Sequence, residues 1–266
     1  MPLAVCATPI GNLDDVTLRV LDELRSADVV LCEDTRHTRV LLERHGISAR
    51  LLSYHEHNEA KRTAELLPRL QAGERVALVS DAGLPGISDP GARLVAAAMD
   101  AAVPVTVLPG ASAVETALVV SGFAAERYQF VGFLPRGAKA LRSLWEEVAR
   151  WPHPVVAFES PQRLPATLRS LAEADPQRPV AVCRELTKKF EEVVRGSAED
   201  VAARFAQPPK GEITLVLGPA TAREDTEGAV AAVAELVAAG VARRQAADVV
   251  ARLTGAARNE LYRRTL

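Results

Sequence analysis

The chain has 266 residues, 48% hydrophobic and 25% charged, with a formal net charge of −2. That is the composition of an ordinary globular protein with one large core or two modest ones. It argues against a globally basic nucleic-acid binder, and no apolar run approaches the ~18 residues of a membrane span.

The first strand signal is "LAVCA" (Leu3 to Ala7). The stretch "MPLAVCATPIGN" has no basic region leading into a long apolar one, so no signal peptide is expected and a cytoplasmic location follows. After the Gly/Pro loop "TPIGN", the segment "DDVTLRVLDELRSA" places Val16, Val20, Leu21 and Leu24 on one helical face, with Asp14 or Asp15 positioned to cap its start. A second strand, "DVVLC", runs into "CEDTRHT", where Asp34 or Thr35 suits the N-cap of a helix beginning near Arg36. "RLLSY" is the third strand. The helix "NEAKRTAELLPRLQAG" then ends on Gly73, a C-cap residue. "RVALVS" is followed by "SDAGLPG", and in "SDPGARLV" Asp89 reads as an N-cap with Pro90 as first helical residue. "PVTVL" then leads into "PGASA". Strand and helix alternating this often predict parallel pairing.

Composition breaks near Gly122 to Arg127, and a second set of strands begins: "YQFVGFL", "PVVAFES", "PVAVCREL", "FEEVVRG" and "EITLVLG", with helices from about Lys139 and Arg163. The strands around Cys183 and Val193 lie too close for a crossover helix and should form an antiparallel hairpin, making this sheet mixed. From Gly228 the sequence is Ala-rich and helical only. Its six arginines outnumber Glu235, Asp248 and Glu260 for a net of +3, and Gly240 and Gly255 divide it in the manner of a helix-turn-helix module. The expected organisation is an α/β domain over residues 1–122 with a mainly parallel sheet, a second α/β domain over 123–222 with a mixed sheet, and a basic helical module over 228–266.

Three Gly/Pro-rich loops follow the first, fourth and fifth strands, and in an open α/β sheet such loops converge on one ligand crevice at the carboxyl edge. None is a GxxxxGK[ST] cradle or a GxGxxG turn, which argues against ordinary nucleotide-triphosphate and dinucleotide sites. Cys6, Cys32 and Cys183 sit in apolar runs without CxxC pairing and read as core thiols. His55 and His57 share a strand face but lack a third ligand at suitable spacing, so no metal is expected.

The motifs "ATPIGNLDDVTLRVLDEL", "CEDTRHTRVLLERHGI", "YHEHNE", "LVSDAGLPGISDPG", "LPGASA", "FVGFLPR", "CRELTKKFEEV" and "KGEITLVL" occur in that order over nearly the full length. Together they resemble the small-subunit ribosomal RNA (cytidine-2′-O)-methyltransferases, part of the tetrapyrrole methylase-like group of S-adenosylmethionine enzymes. The resemblance implies two α/β domains with the cofactor in the cleft between them, 2′-O-methylation of a cytidine ribose in the decoding region of 16S ribosomal RNA, and a homodimer. Carried over by motif, Pro9, Ser80, Asp81, Ala82, Gly83, Ser112 and Ala113 would touch the cofactor, and Phe133, Leu186 and Ile213 would complete its pocket. The family commonly has threonine where this chain has Leu84, which removes any hydroxyl role there and leaves the backbone contacts intact.

Methyl transfer to a hydroxyl is an in-line displacement, helped by positioning and by a general base. Glu33 or Asp34 is the candidate to orient or deprotonate the 2′-hydroxyl, with Arg36 on a phosphate. Arg136, Lys139, Arg184 and Lys188, joined by Lys189, are candidates for an RNA-backbone surface that the basic tail would extend. Aromatics make up only 4% of the chain, so recognition by shape and phosphates is expected rather than base stacking. Two other readings stay open: a tetrapyrrole-precursor C-methyltransferase of the same superfamily, whose first loop is typically G-x-G-P-G, and a non-catalytic nucleic-acid-binding protein.

Overall fold

The computed structural model describes residues 2–220 and 226–266. It forms two compact units, Met1–Pro219 and Ala220–Leu266; the expected end of the second domain at residue 222 lies outside the described residues.

The first sheet has five parallel strands, β1 (Leu3–Cys6), β2 (Val29–Cys32), β3 (Leu51–Ser53), β4 (Val76–Val79) and β5 (Val105–Leu108), in the order β3-β2-β4-β1-β5. Every residue of β1, β2 and β4 is buried, as expected of strands covered on both faces. Successive side chains point to opposite faces. Leu3, Val5, Val29 and Leu31 meet α3 (Glu59–Gln71) and α4 (Ala92–Asp100) through Leu66, Leu70, Leu94 and Ala98. Ala4, Cys6, Val30 and Cys32 meet α1 (Leu18–Ser26) and α2 (Thr35–Arg44) through Val20, Leu21, Leu24 and Leu42.

The second sheet comprises β6 (Gln129–Phe133), β7 (Val155–Glu159), β8 (Pro179–Arg184), β9 (Glu192–Ser197) and β10 (Ile213–Leu217), in the order β6-β7-β10-β8-β9. Only β6 and β7 run parallel; β8 and β9 form the expected antiparallel hairpin. One face packs on α6 (Ala138–Val148), α7 (Leu164–Ala174) and α8 (Ala198–Arg204). The other is covered by α5 (Ala113–Ser121), whose Val114, Ala117 and Leu118 join Val156, Ala181, Cys183 and Val216. All three cysteines are buried and free.

The Ala220–Leu266 unit consists of α9 (Thr226–Ala238), α10 (Arg243–Thr254) and α11 (Arg258–Arg264) around Ala229, Val233, Ala246, Ala247, Val250 and Leu261. Gly240 and Gly255, both at positive φ (92° and 77°), make its turns.

Two helix starts differ from expectation. Thr17, not Asp14 or Asp15, caps α1 by accepting from the Val20 amide, because Leu13–Asp15 form a separate 3-10 turn capped by Asn12. Asp89 does not cap α4, which begins at Ala92 behind Gly91. The Gly91 amide donates instead to Glu59 Oε1 on α3 at 3.1 Å, so a tertiary carboxylate takes the place of the local one.

Candidate active site

The loops after β1 and β4 are fastened to each other. The Thr8 and Gly83 amides each donate to the other's carbonyl at 2.8 and 3.1 Å, and Thr8 Oγ1 donates to the Ser80 carbonyl at 2.9 Å. Ser80 turns its own hydroxyl inward onto the Gly83 carbonyl at 3.0 Å. Gly83 sits at φ 79°, a left-handed conformation natural to glycine. Leu84, where the family commonly has threonine, packs its side chain against the core between the first sheet, α3 and α4.

Beside this clasp lies a cavity of about 420 Å³, within the ~300–1,000 Å³ range of small-molecule sites. Asp81, Ala82, Gly83, Ser112 and Ala113 line it from the first sheet's carboxyl edge and the start of α5. Phe133, Leu186 and Ile213 line it from the second sheet. They meet there because β10 runs antiparallel to β7 and β8, so its first residue, Ile213, pairs with the last residues of those strands, Glu159 and Arg184. Pro9 and Ser80 face a smaller cavity of about 90 Å³ that shares Ile10, Asp81, Ala82 and Glu212 with the first. Sequence reasoning missed Ile10, Asp89, Glu159, Ser160, Glu212 and Thr214 on the main wall. The Gly/Pro signal marked only loops of the first half, and the second-half wall is assembled by strand pairing.

Leu186 is presented by a tight loop in which Glu185 and Thr187 adopt positive φ (53° and 64°). Two contacts hold that loop: the Asn12 amide donates to Thr187 Oγ1 at 2.9 Å, and Lys188 Nζ bridges Glu185 (3.0 Å) and Glu212 (2.9 Å). Arg184 pairs with Glu192 at 3.0 Å. Lys188 and Arg184 are thus engaged with carboxylates, whereas Arg136, Lys139 and Lys189 are exposed. Glu159, wholly buried, accepts from Thr167 Oγ1 (2.5 Å), the Ser160 amide (2.7 Å) and Arg163 (3.2 Å). Arg163 also donates to the Leu134 and Pro135 carbonyls, fixing the end of β6 where Phe133 stands.

The acidic residues at the carboxyl edge divide sharply. Asp34 caps α2 through the Arg36 amide at 2.8 Å and holds the Arg36 guanidinium at 2.6 Å. Those hydrogen bonds keep its carboxyl well below the usual carboxylate range. Asp34 and Arg36, the latter largely exposed, are thus paired with each other at the start of α2. Glu33 is pushed up by burial and then by the charge of Asp81, yet it lies outside the cavity lining. Asp89 does line the cavity, and burial, followed by the charges of Glu33 and Asp81, lifts its carboxyl to about 6. His55 hydrogen-bonds Asn58 at 3.2 Å, and among the described residues no group of three His, Cys, Asp or Glu is placed to hold a metal ion.

The family model described as Tetrapyrrole (Corrin/Porphyrin) Methylases matches residues 2–202. The Ribosomal RNA small subunit methyltransferase I of Mesorhizobium japonicum is 43% identical over 99% of this chain and 91% of its own length. That of Synechocystis sp. is 42% identical over 99% and 97%. Among solved structures, the uroporphyrin-III C-methyl transferase of Thermus thermophilus complexed with S-adenyl homocysteine superposes with a TM-score of 0.59 at 20% identity, covering 81% of this chain and 96% of that one.

Proposed function

The chain belongs to the tetrapyrrole methylase family, within its small-subunit ribosomal RNA methyltransferases, and from that premise we propose that it transfers a methyl group to the ribose 2′-oxygen of a cytidine in 16S ribosomal RNA. S-adenosylmethionine is the methyl donor and supplies, when bound, an electrophilic sulfonium methyl.

The lining of the large cavity fits such a group. Ile10, Phe133, Leu186 and Ile213 offer apolar surface to a purine, while the backbone at Asp81 and Ala82 and at Ser112 and Ala113 offers polar groups beside them. Asp81, Glu159 and Glu212 make the wall acidic, which suits a ligand carrying a sulfonium and an ammonium. This convergence of both sheets on one acidic, partly apolar cavity is the observation that carries the reading.

Within it, Thr8 and Ser80 hold the loops in shape, Lys188 and Arg184 brace the segment bearing Leu186, and Arg163 fixes the end of β6. Exposed Arg136, Lys139 and Lys189 contact RNA phosphates, and the helical unit offers exposed arginines of its own, Arg244 and Arg252, for the same kind of contact. A homodimer is part of the same reading, and the exposed valines Val107 on the edge strand β5 and Val119 on α5 are candidates for its contact. Among the described residues no helix is long and apolar enough to cross a membrane; the enzyme works in the cytoplasm, where its ribosomal substrate is.

The test is to incubate the protein with radiolabelled S-adenosylmethionine and small ribosomal subunits lacking the modification, then to digest the RNA and identify the labelled nucleoside by mass spectrometry. A single 2′-O-methylcytidine is expected. Label on a base, or on an added tetrapyrrole instead of the subunit, would overturn the assignment.

A further inference from the structure

We propose that Asp89 is the general base of the transfer, its carboxylate taking the 2′-hydroxyl proton as that oxygen attacks the methyl carbon. The inference rests on the methyltransferase reading above and names a residue for its least defined step. In that step the oxygen–carbon bond forms, the carbon–sulfur bond breaks with its electron pair remaining on sulfur, and the proton moves to an Asp89 oxygen, from which water removes it.

Placement is the first ground. Asp89 shares the cavity wall with Gly83, Ser112 and Phe133, on a loop whose course is set by backbone rather than by helix capping. Ser88 stands at φ 63°, uncommon for a residue with a side chain, and Gly91 at φ 140°. A methyl group on Gly91 would lie 2.9 Å from Leu78 Cδ2. The loop therefore packs directly on the end of β4, and Asp89 is turned to the cavity instead of to α4.

The second ground is that, of the carboxylates lining the cavity, Asp89 alone is unengaged among the described residues. Asp34 holds Arg36; Asp81 accepts from the Asp34 amide at 3.3 Å and lies 3.9 Å from His37 Nδ1; Glu159 is filled by Thr167, Ser160 and Arg163; Glu212 holds Lys188. Among the described residues no hydrogen bond or ion pair reaches the Asp89 side chain, and the amide it would have capped belongs to Glu59.

The surroundings provide the third ground. Glu33 from the end of β2 and Asp81 from the end of β4 act on Asp89, and Glu159 and Glu212 line the same cavity from the second sheet. The neighbouring cations are committed elsewhere: Arg93 and α3 meet through Glu59, Arg163 holds Glu159, and Lys188 spans Glu185 and Glu212. Burial and like charge raise the proton affinity of Asp89 to about 6. It is ionised at neutral pH and is a stronger base there than an ordinary carboxylate.

Full-length Asp89→Asn and Asp89→Glu are compared with the wild type on unmethylated small subunits under single-turnover conditions, with S-adenosylmethionine affinity measured by calorimetry. Asp89→Asn should lose about 100-fold in rate, keep cofactor affinity within about twofold, and be partly rescued by Asp89→Glu. The wild-type rate should fall about tenfold per pH unit below about 6, a limb that Asp89→Asn lacks. In the free protein, the carbon-13 resonance of the Asp89 carboxyl should titrate in the same range. A variant within about threefold of wild type, an acid limb that persists in it, or loss of cofactor binding overturns the inference. Wild type that binds cofactor without methylating the subunit overturns the functional reading instead, and the two failures are thereby separated.

Discussion

Gly11 and Lys188 touch across the cavity's edge: a methyl group on Gly11 would stand 2.6 Å from Lys188 Cγ, and 2.7 Å from both the Leu186 carbonyl and Thr187 Oγ1. The loop after β1 and the loop bearing Leu186 are therefore docked with no room between them. Gly11→Ala must part them, because a carbonyl cannot yield as a flexible side chain can. Overpacking of this kind costs about 1–3 kcal/mol. The expected result is a lower melting temperature and roughly tenfold weaker S-adenosylmethionine binding by calorimetry, ~1.4 kcal/mol.

Thr8→Val keeps the shape of a buried side chain and deletes the hydroxyl that donates to the Ser80 carbonyl. A buried acceptor that loses its donor costs about 1–3 kcal/mol. Urea unfolding should register that loss, with a rise in KM for the cofactor because the loop bearing Asp81 to Gly83 loosens with it.

Asp89 carries a cost in stability. Its carboxyl titrates at about 6 in the folded chain against an ordinary 3.8. The folded state thus holds the proton more tightly than the unfolded state, and the stabilisation this gives is complete below about pH 4 and lost as pH rises through 6. At pH 8 Asp89→Asn should be more stable than wild type by on the order of 1 kcal/mol, with no difference near pH 4. Urea titrations at both pH values check this without any turnover.

Arg163→Met removes the only cation held by the wholly buried Glu159 among the described residues. Stranding a buried charge in this way costs about 3 kcal/mol. The same change frees the Leu134 and Pro135 carbonyls, so the variant should lose both folding stability and cofactor affinity. Arg163→Lys should recover part of each.

Arg244 and Arg252 lie exposed on α10, outside the ion pairs that occupy Arg258 and Arg264. If the helical unit contacts ribosomal RNA, Arg244→Glu with Arg252→Glu should weaken binding to the small subunit and flatten its dependence on salt. Cofactor affinity should stay at the wild-type value. Filter binding across a salt series separates the two effects.

The strand runs were legible because β1, β2 and β4 are buried on both faces and so are written as unbroken apolar stretches. The hairpin of β8 and β9 followed from spacing alone. Asp89 was misread for a physical reason. Asp before Pro is a strong local cap signal, but Glu59, thirty positions earlier in sequence, reaches the amide first, and no local rule anticipates a tertiary competitor. The same limit hid Glu159 and Glu212, which enter the cavity wall only through the antiparallel pairing of β10. For Asp34 the cap was legible, whereas its grip on Arg36 depends on side-chain geometry.

Helix α5 follows β5 in the chain yet spends its apolar face, Val114, Ala117 and Leu118, on the second sheet. A gene cut at the composition break near Gly122 would leave that helix on the wrong fragment and the second sheet bare on one side. A cut within Pro109 to Ala111 would give each sheet all of its covers. In fragment complementation, circular permutation or the fusion of two ancestral half-genes, the natural seam therefore runs through the loop beside Ser112, at the ligand cavity itself, rather than through the linker that composition marks.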